Sequence, residues 1–382
     1  MNFEYYNPTK IIFGNGKIDR IGTETYRYGR KALLVTTRGA IKKLGIFDKV
    51  KRELRESGVG SIDLFGVEPN PKLSSVKKGA DLCKKHGVNV VVAVGGGSVI
   101  DCAKAIAYSA LDDGDPWDFF LKKRIPAGGL PIVAVLTISA TGSEMNSNSV
   151  ITNLETKQKL ATHYDFSYPK VSIIDPLLQN TLPKFFTASG MVDTLAHVLE
   201  VYFDGSENTP MQDRLAEGIV QTVIENDSLL SDEKNTTKRA NICWASTLAL
   251  NGMNGVGREG KPLYAHKIEH AIGGRYDIIH AAGLSPILPA VWERICRSRP
   301  AKFAQYNERV FGAQAGMGML ESGLAGIEKT KAKFAEWGMP LKLSEAGVQC
   351  EGFDVIARDA AAAIRDDFFD EEVILKILNE TY

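Results

Sequence analysis

The sequence predicts an α/β N-terminal domain built on a parallel sheet, followed by an all-α C-terminal domain. Up to residue 180, short β-branched runs alternate with amphipathic helical stretches, which is typical of a parallel sheet covered on both faces. Beyond that residue only helical periodicity continues. A chain of 382 residues is also too long for one ordinary hydrophobic core. We therefore expect two domains, spanning residues 1–180 and 181–382.

The N-terminal half contains four clear strand patterns, of which VNVVVAV is apolar enough to be buried on both faces. We predict strands at 31–37, 61–67, 88–94 and 130–137, and helices at 41–58, 72–87 and 98–110. Residues 149–175 resemble a polar hairpin followed by one more strand, and Pro176 and Pro183 mark the expected domain boundary. In parallel sheets ligands bind beyond the carboxyl ends of the strands, so the loops there are the candidates for function.

The composition excludes several classes of protein. Acidic and basic residues number 46 each, so the chain lacks the positive field that a nucleic-acid-binding protein uses. No apolar run approaches the ~20 residues of a membrane-spanning helix, and the N-terminus lacks a signal-peptide pattern. The five cysteines are scattered without CxxC spacing, which predicts buried, reduced thiols. We therefore expect a cytoplasmic protein that binds neither nucleic acid nor membrane.

A glycine-rich loop follows the third predicted strand. Gly95, Gly96 and Gly97 stand between that strand and a helix opened by Ser98. Glycines allow the backbone to approach a bulky anion, and a helix N-terminus presents free N–H groups at the positive end of its dipole. The loop therefore predicts a pyrophosphate site, with a plain flexible turn as the alternative. The pattern is not the GxGxxG of ordinary Rossmann dehydrogenases.

Two further loops are candidates for completing a dinucleotide site. Asn70 lies between two prolines after the second strand, in a turn that the prolines make rigid. The stretch after the fourth strand is dense in hydroxyl and amide groups that can donate to a phosphate or a carboxamide, although small polar residues also occur in loops without function. These groups belong to Thr137, Ser139, Thr141 and Asn148.

The turn after the first predicted strand bears on which dinucleotide binds. NAD is usually held through its ribose by an acid near the end of an early strand. Residues 36–39 contain no acid, whereas Arg38, Lys42 and Lys43 bring three cations to this region. We therefore favour NADP over NAD, while a solvated helix face is the alternative explanation of the two lysines.

The C-terminal half carries a group of metal-ligand residue types. Asp193 and His197 are four residues apart, as are His266 and His270, and residues with this spacing share one face of a helix. Four of the six histidines of the chain fall between positions 193 and 280. We predict that Asp193, His197, His266 and His280 bind a divalent metal, for which an oxygen and nitrogen set suits Fe(II) or Zn(II). The alternative is that each buried polar group satisfies its neighbours.

The sequence offers five candidate residues for four ligand positions, so one histidine is left over. We assign His270 beside the metal, as a proton relay or as a positioning group next to the substrate and the nicotinamide. Glu269 is expected to be a structural or surface acid. A metal of this kind lowers the pKa of an alcohol or polarises a carbonyl, which supports reversible hydride transfer beside a nicotinamide.

The motifs GGGSVIDCAK, GMVDTLAHVLE and HKIEHAIGGRYDIIHAAGL resemble those of the iron-containing (group III) alcohol dehydrogenases, in particular the butanol dehydrogenase and broad-range aldehyde reductase branch. The resemblance extends from NPTKIIFGNG near the start to GMPLKLSEAG near residues 338–347. It implies a dehydroquinate synthase-like architecture: a dinucleotide-binding domain with a parallel sheet, and a helical metal-binding domain. It also implies a metal-dependent alcohol dehydrogenase or aldehyde reductase that moves a hydride between NAD(P)H and a small aldehyde or primary alcohol, and relatives that are commonly dimers.

Carried over by residue, the resemblance implies metal ligands at Asp193, His197, His266 and His280, and a further histidine near the nicotinamide at His270. Its implied pyrophosphate contacts are Gly96, Gly97 and Ser98, with Asp101 just beyond. Its other implied cofactor contacts are Asn70, Thr137, Thr141, Asn148 and Lys159. NAD-selective members carry an acid where this chain has Thr37, and NADP-preferring members have a glycine-rich turn where it has Arg38 before Gly39.

Two other functions are compatible with parts of this pattern. Dehydroquinate synthase-like lyases pair a related nucleotide domain with a metal but use the nicotinamide only transiently, so net NADPH consumption separates them from a dehydrogenase. A non-catalytic metal-binding or assembly protein would not need a pyrophosphate loop. The reductase is therefore the expected function.

Overall fold

The computed structural model describes residues 2–314 and 316–382, and the chain divides into two compact units. The sheet unit contains Tyr6–Leu182 and Glu233–Cys243, and the helical unit contains the described residues before Tyr6 together with Pro183–Asp232 and Trp244–Tyr382. The expected domain limits of 1–180 and 181–382 stay a prediction. The compact units differ from those limits mainly in the N-terminal residues and in the segment 233–243.

The sheet unit is organised around six parallel strands, which confirms the predicted parallel sheet, although the strand at Lys10–Phe13 was not among the predicted ones. Their order across the sheet is β1-β8-β5-β4-β2-β3, and a separate antiparallel hairpin is formed by β6 and β7. The strands are β1 Lys10–Phe13, β2 Lys31–Thr36, β3 Gly60–Phe65, β4 Val90–Gly95, β5 Ile132–Leu136, β6 Asn148–Asn153, β7 Gln158–His163 and β8 Val171–Ile174. Strands β4, β5 and β8 are buried along their whole length, which explains their continuous apolar sequences.

Helices cover both faces of this sheet. They are α1 Ile21–Tyr26, α2 Ala40–Lys43, α3 Ile46–Glu56, α4 Leu73–His86, α5 Gly97–Ser109 and α6 Trp117–Phe120. Alternate side chains of β4 enter two separate cores: Val91 and Ala93 pack with α4 and α5, whereas Val92 packs with α1 and α3. The chain leaves β2 through α3 towards β3 at one edge of the sheet, and it leaves β4 through α5 towards β5 on the other face and in the opposite direction. The switch point of the fold therefore lies between β2 and β4.

One predicted helix is interrupted. The sequence pattern predicts a single helix over 41–58, but the structure has α2 and α3 with a break at Leu44 and Gly45. Gly45 adopts a φ of 70°, a left-handed conformation that a helix cannot contain and that glycine tolerates best. The correction is local, because α3 still buries Val50 and Leu54 against the sheet.

The helical unit confirms the predicted all-α half, since no strand occurs in the described parts of residues 183–382. Its helices are α7 Lys184–Tyr202, α8 Pro210–Glu225, α9 Thr236–Ala249 (whose first part belongs to the sheet unit), α10 Tyr264–Tyr276, α11 His280–Ser298, α12 Ala301–Phe311, α13 Met319–Glu336, α14 Phe353–Ile364 and α15 Glu371–Glu380. Helix α7 packs against α8 and α11, and α10 packs against α11 and α14. Within the described residues, none of these helices combines the length and the hydropathy needed to cross a membrane.

The cysteines agree with the expected chemistry except at one position. All five are free thiols, and four are buried as predicted, but Cys350 is exposed. Burial raises the pKa of Cys83 to about 12 and that of Cys296 to about 11, so these thiols stay protonated near neutral pH. They behave as small apolar core residues.

Candidate functional site

Three helices of the helical unit bring the predicted metal ligands together. Asp193 and His197 lie one turn apart in α7, a helix that is buried on nearly all sides. His266 lies in the first turn of α10 and His280 is the first residue of α11. Asp277, with a φ of 51°, ends α10 in a left-handed conformation, and the short turn to Ile279 returns the chain so that α11 packs against α10.

The distances leave space for an ion between three of these side chains. The Oδ1 atom of Asp193 lies 3.9 Å from Nε2 of His266 and 3.7 Å from Nε2 of His280. These distances are too long for hydrogen bonds. Ligand atoms about 2.1 Å from a tetrahedral metal are separated from one another by roughly 3.4 Å. One ligand atom from each of the three residues lies within 4.8 Å of the others, so the three side chains are close enough to share one ion.

His197 stands beside this group without belonging to it. Its ring centroid is 4.3 Å from that of His266, and its Nδ1 lies 2.8 Å from the backbone carbonyl oxygen of Asp193. Donation of the Nδ1 proton to that carbonyl leaves the Nε2 lone pair as the atom that can bind a metal. Burial lowers the pKa of His197, which favours the neutral imidazole that ligation requires.

Two buried glutamates orient the other two imidazoles. Nδ1 of His266 donates to Glu200, whose carboxylate also accepts the backbone N–H groups of Ala265 at 2.7 Å and His266 at 3.2 Å. Nδ1 of His280 donates to Glu269. Each bond fixes the tautomer in which the Nε2 lone pair faces Asp193, an arrangement common around protein-bound metals. Burial raises the pKa of Glu200 to about 8, while the two amides act in the opposite direction.

These contacts correct one interpretation and add one residue. Glu269 was expected to be a structural or surface acid, and the surface alternative is wrong, because Glu269 has no exposed surface and is paired with a predicted metal ligand. Sequence reasoning missed Glu200. Its position seven residues after Asp193 places it on the same face of α7, so the helical spacing of Asp193, His197 and Glu200 was an available signal.

His270 is close to His280. Its ring centroid is 5.7 Å from that of His280, and it can offer a ligand atom to a second group with Glu269 and His280. The side chain is half-buried, whereas His266 is buried. The structure therefore places His270 next to the three-residue group but outside it.

In the sheet unit, most of the predicted cofactor residues lie at the carboxyl ends of strands. Gly96 and Gly97 directly follow β4, and Ser98 is in the first turn of α5. A Cβ atom on Gly97 would lie 2.3 Å from Oγ1 of Thr141, so the loop requires glycine there. Thr137 follows β5, and its N–H donates to the carbonyl of Gly95. These loops lie beside the switch point, where this class of sheet binds ligands.

Four other predicted cofactor residues lie in two parts of the sheet unit. Thr37 and Gly39 follow β2, and Gly39 has a φ of 73°. Asn70 precedes Pro71, whose carbonyl accepts the N–H of Thr152, and Thr152 pairs with Lys159 across the β6–β7 hairpin. The structure thus brings Asn70 and Lys159 near each other through the hairpin. The ammonium of Lys42 lies 4.0 Å from the ring centroid of Phe65, so this lysine packs on an aromatic side chain.

Asp101 and Asn148 have protein partners. The Asp101 carboxylate accepts from the Ser143 hydroxyl and from the backbone N–H of Val150, and Asn148 accepts a hydrogen bond through its carbonyl. The two carboxylate oxygens of Asp101 thus bind Ser143, in the connection from β5 to β6, and Val150 in β6.

Two family models match this chain. The model described as iron-containing alcohol dehydrogenase matches residues 8–176, and the model of the C-terminal part of the Fe-containing alcohol dehydrogenase family matches residues 187–382. A probable NADH-dependent butanol dehydrogenase 1 of Bacillus subtilis (strain 168) is 45% identical over 363 residues, 94% of each chain. An NADPH-dependent aldehyde reductase of Escherichia coli (strain K12) is 35% identical over 356 residues, 91% of this chain and 89% of that protein.

A solved structure shares the whole architecture. The crystal structure of an NADH-dependent butanol dehydrogenase A from Thermotoga maritima matches with a TM-score of 0.95 and 40% identity, covering 100% of this chain and 98% of that chain. The similarity therefore includes both the parallel sheet and the helical half. Together with the two family models, it confirms the resemblance that the sequence motifs predict. The chain belongs to the iron-containing alcohol dehydrogenase family and is an oxidoreductase of its butanol dehydrogenase branch.

Proposed function

We propose that this alcohol dehydrogenase works mainly as a reductase of small aldehydes, converting aldehyde, NADPH and a proton into primary alcohol and NADP. The observation that carries the proposal is the convergence of the Nε2 atoms of His266 and His280 on the carboxylate of Asp193. Relatives are named for butanol, for 1,3-propanediol and for aldehydes, which are small alcohols or the carbonyl compounds that such alcohols form on oxidation. That shared chemistry supports the proposed substrate class.

The proposed metal ligands are Asp193, His197, His266 and His280. A carboxylate oxygen with imidazole nitrogens fits Fe(II) or Zn(II), and four protein ligands leave a position for a substrate oxygen. When bound, the metal would polarise the carbonyl as a Lewis acid, and the reduced nicotinamide would supply the hydride. Glu200 and Glu269 hold the imidazoles of His266 and His280 in the ligating tautomer.

His270 is the proposed proton donor or positioning group. Hydride addition leaves negative charge on the former carbonyl oxygen, and that oxygen then takes a proton. His270 is half-buried and lies beside His280, where its imidazole can hold a proton for this transfer without occupying a ligand position. The role would explain a histidine that the metal does not need.

The proposed cofactor residues line the strand ends of the sheet unit. The N–H groups of Gly96, Gly97 and Ser98 would hold the pyrophosphate at the start of α5. The further contacts would come from Thr37, Gly39, Asn70, Asp101, Thr137, Thr141, Asn148 and Lys159. NADPH is the proposed preferred donor, because residues 37–39 offer no acid to hold a ribose hydroxyl. Because some relatives are named as NADH-dependent, the direct test is the ratio of kcat/KM for NADPH to kcat/KM for NADH.

Metal exchange tests the proposal as a whole. Purified enzyme treated with chelator should lose aldehyde-dependent NADPH oxidation and should regain it with Fe(II) or Zn(II). His266→Ala should bind less metal and lose turnover, whereas His163→Ala, at an exposed position in β7, should retain both. Full turnover by His266→Ala would refute the mechanism. Product formation without net NADPH consumption would indicate a lyase.

A homodimer and a cytoplasmic location are also part of the proposal. Free thiols at all five cysteines fit a reducing compartment. Light scattering of the purified chain tests the homodimer, since a monomer would contradict it. Cell fractionation tests the cytoplasmic location.

A further inference from the structure

Helix α5 carries a lysine that the proposed chemistry does not use. Lys104 lies two turns after the glycine loop and is fully buried. Burying an ammonium is costly unless every proton has a partner. Here its Nζ donates to Oγ of Ser143 at 2.8 Å, to Oδ1 of Asn146 at 3.0 Å and to the carbonyl of Asn148 at 2.7 Å. Two of these acceptors belong to the connection from β5 to β6, and the third, Asn148, is the first residue of β6.

Asp101, one turn earlier in α5, bonds to the same segment of the chain. Its carboxylate accepts the hydroxyl proton of Ser143 and, at 2.9 Å, the backbone N–H of Val150. Its backbone carbonyl accepts the hydroxyl of Ser149 at 2.8 Å. Ser143 therefore accepts from Lys104 and donates to Asp101, so that the two charges act through one hydroxyl.

The segment is held in one conformation by this network. Asn146 Oδ1 accepts both from Lys104 and from the backbone N–H of Asn148, at 2.9 Å, and its amide group donates to the carbonyl of Gly142. Thr141, at the start of the same segment, packs against Gly97. The ammonium thus connects the helix after the glycine loop directly to Asn148 and, through Ser143, to Thr141, whose Oγ1 accepts the backbone N–H of Ser143 at 3.3 Å.

The burial of these two charges works against the folding stability of the protein. Burial lowers the pKa of Lys104 to about 8, while the carboxylates of Asp101 and Glu144 act in the opposite direction. Burial also raises the pKa of Asp101. Apolar side chains often replace such buried charges without loss of stability. The geometry that the ammonium imposes on residues 141–150 is therefore a better reason for it than its contribution to the free energy of unfolding.

We propose that Lys104 is a positioning residue for the dinucleotide: through Ser143, Asn146 and Asn148 it holds segment 141–150 in the conformation that binds the cofactor. This inference rests on the proposed assignment of Thr141 and Asn148 to the cofactor site. Lys104 itself would not contact the dinucleotide. Its effect is expected in cofactor affinity and in the KM for the cofactor, more than in metal content.

The test is a titration of the full-length protein with NADPH and with NADH, followed by fluorescence without aldehyde. Lys104→Met keeps a long unbranched side chain without the charge or the donors, and displacement of the segment should weaken binding about tenfold to a hundredfold. The matched control is Glu24→Gln. Glu24 is a buried charge in α1 of the same unit, paired with Lys10 of β1 and with Arg20 just before α1. The Glu24→Gln substitution should lower thermal stability and leave the dissociation constants for NADPH and NADH within about twofold of the wild-type values.

A pH series separates positioning from general loss of structure. A neutral amine has two protons for three acceptors, so wild-type affinity should fall as the pH rises through about 8, the pKa of Lys104. The charged groups facing it are Asp101 and Glu144, with Lys159 acting on Asp101. Affinity of Lys104→Met should be low and should lack this fall.

The outcomes are distinct. Wild-type protein that binds neither dinucleotide would refute the proposed function, whereas wild-type binding together with unchanged affinity in Lys104→Met would refute only this inference. Equal loss of affinity in Glu24→Gln would also refute it, because the effect would then be general. If Lys104→Met does not fold, Ser143→Ala decides: it removes the shared hydroxyl, and unchanged affinity in that variant would refute the inference.

Discussion

Replacing Glu200 by glutamine tests how the ligands of the proposed metal centre are oriented. The carboxylate accepts three N–H groups: those of the Ala265 and His266 backbone and Nδ1 of His266. Glutamine has one acceptor oxygen, so its NH2 group must face at least one of these donors. If it faces Nδ1, the imidazole can avoid the clash only by moving its proton to Nε2, where it would point at Asp193 and block ligation.

The expected magnitude follows from these contacts. Loss of an orienting partner of a ligating histidine typically lowers metal affinity by about 10- to 100-fold, or about 1.4–2.8 kcal/mol. A buried donor left without an acceptor costs a further ~1–3 kcal/mol of folding stability. The two effects are separable, because the first appears only in metal binding and the second is present without metal.

The assay is a competition between protein and chelator, read as bound metal by mass spectrometry, together with thermal unfolding of the metal-free protein. Glu217→Gln is the matched control. Glu217 is a buried carboxylate of the same unit that accepts from Tyr202 and Arg309, so its loss should lower stability and leave metal affinity unchanged. Wild-type metal affinity in Glu200→Gln, or equal weakening in Glu217→Gln, would refute the orienting role.

Three other predictions concern the two units separately. Gly97→Ala should weaken dinucleotide binding, because the new Cβ would lie 2.3 Å from Oγ1 of Thr141. In the control Gly218→Ala, in α8, the new Cβ meets no atom within 4 Å, so binding should be unchanged. Titration of both variants with the dinucleotide checks this. His270→Ala should keep its metal but lose about 10²- to 10⁴-fold in kcat, and loss of metal from this variant would instead make it a ligand. Thr37→Asp should lower kcat/KM for NADPH more than for NADH, since a carboxylate repels a 2′-phosphate and accepts a ribose hydroxyl, and an unchanged ratio would contradict the proposed position of the ribose.

The sequence determined the elements whose cause is local. Apolar β-branched runs such as VNVVVAV became buried strands, and helical periodicity after residue 183 became helices, because alternation and burial are properties of neighbouring residues. The exception at Gly45 is also local in origin: a glycine within a helical pattern was a possible break that periodicity alone did not reveal. The spacing of four residues likewise placed Asp193 and His197 on one face of α7.

Only the tertiary structure decided what those elements meet. The order of the strands depends on pairing between distant segments, which periodicity does not encode, and that order places the glycine loop beside the switch point. The approach of His280 to Asp193 depends on the packing of three helices, and so do the contacts that make Glu200 and Glu269 partners of histidines. Asp101 and Lys104 stand in one helix motif, yet their roles come from a segment some forty residues away. Side-chain type is a property of the sequence, whereas the partner that completes a buried charge is a property of the fold.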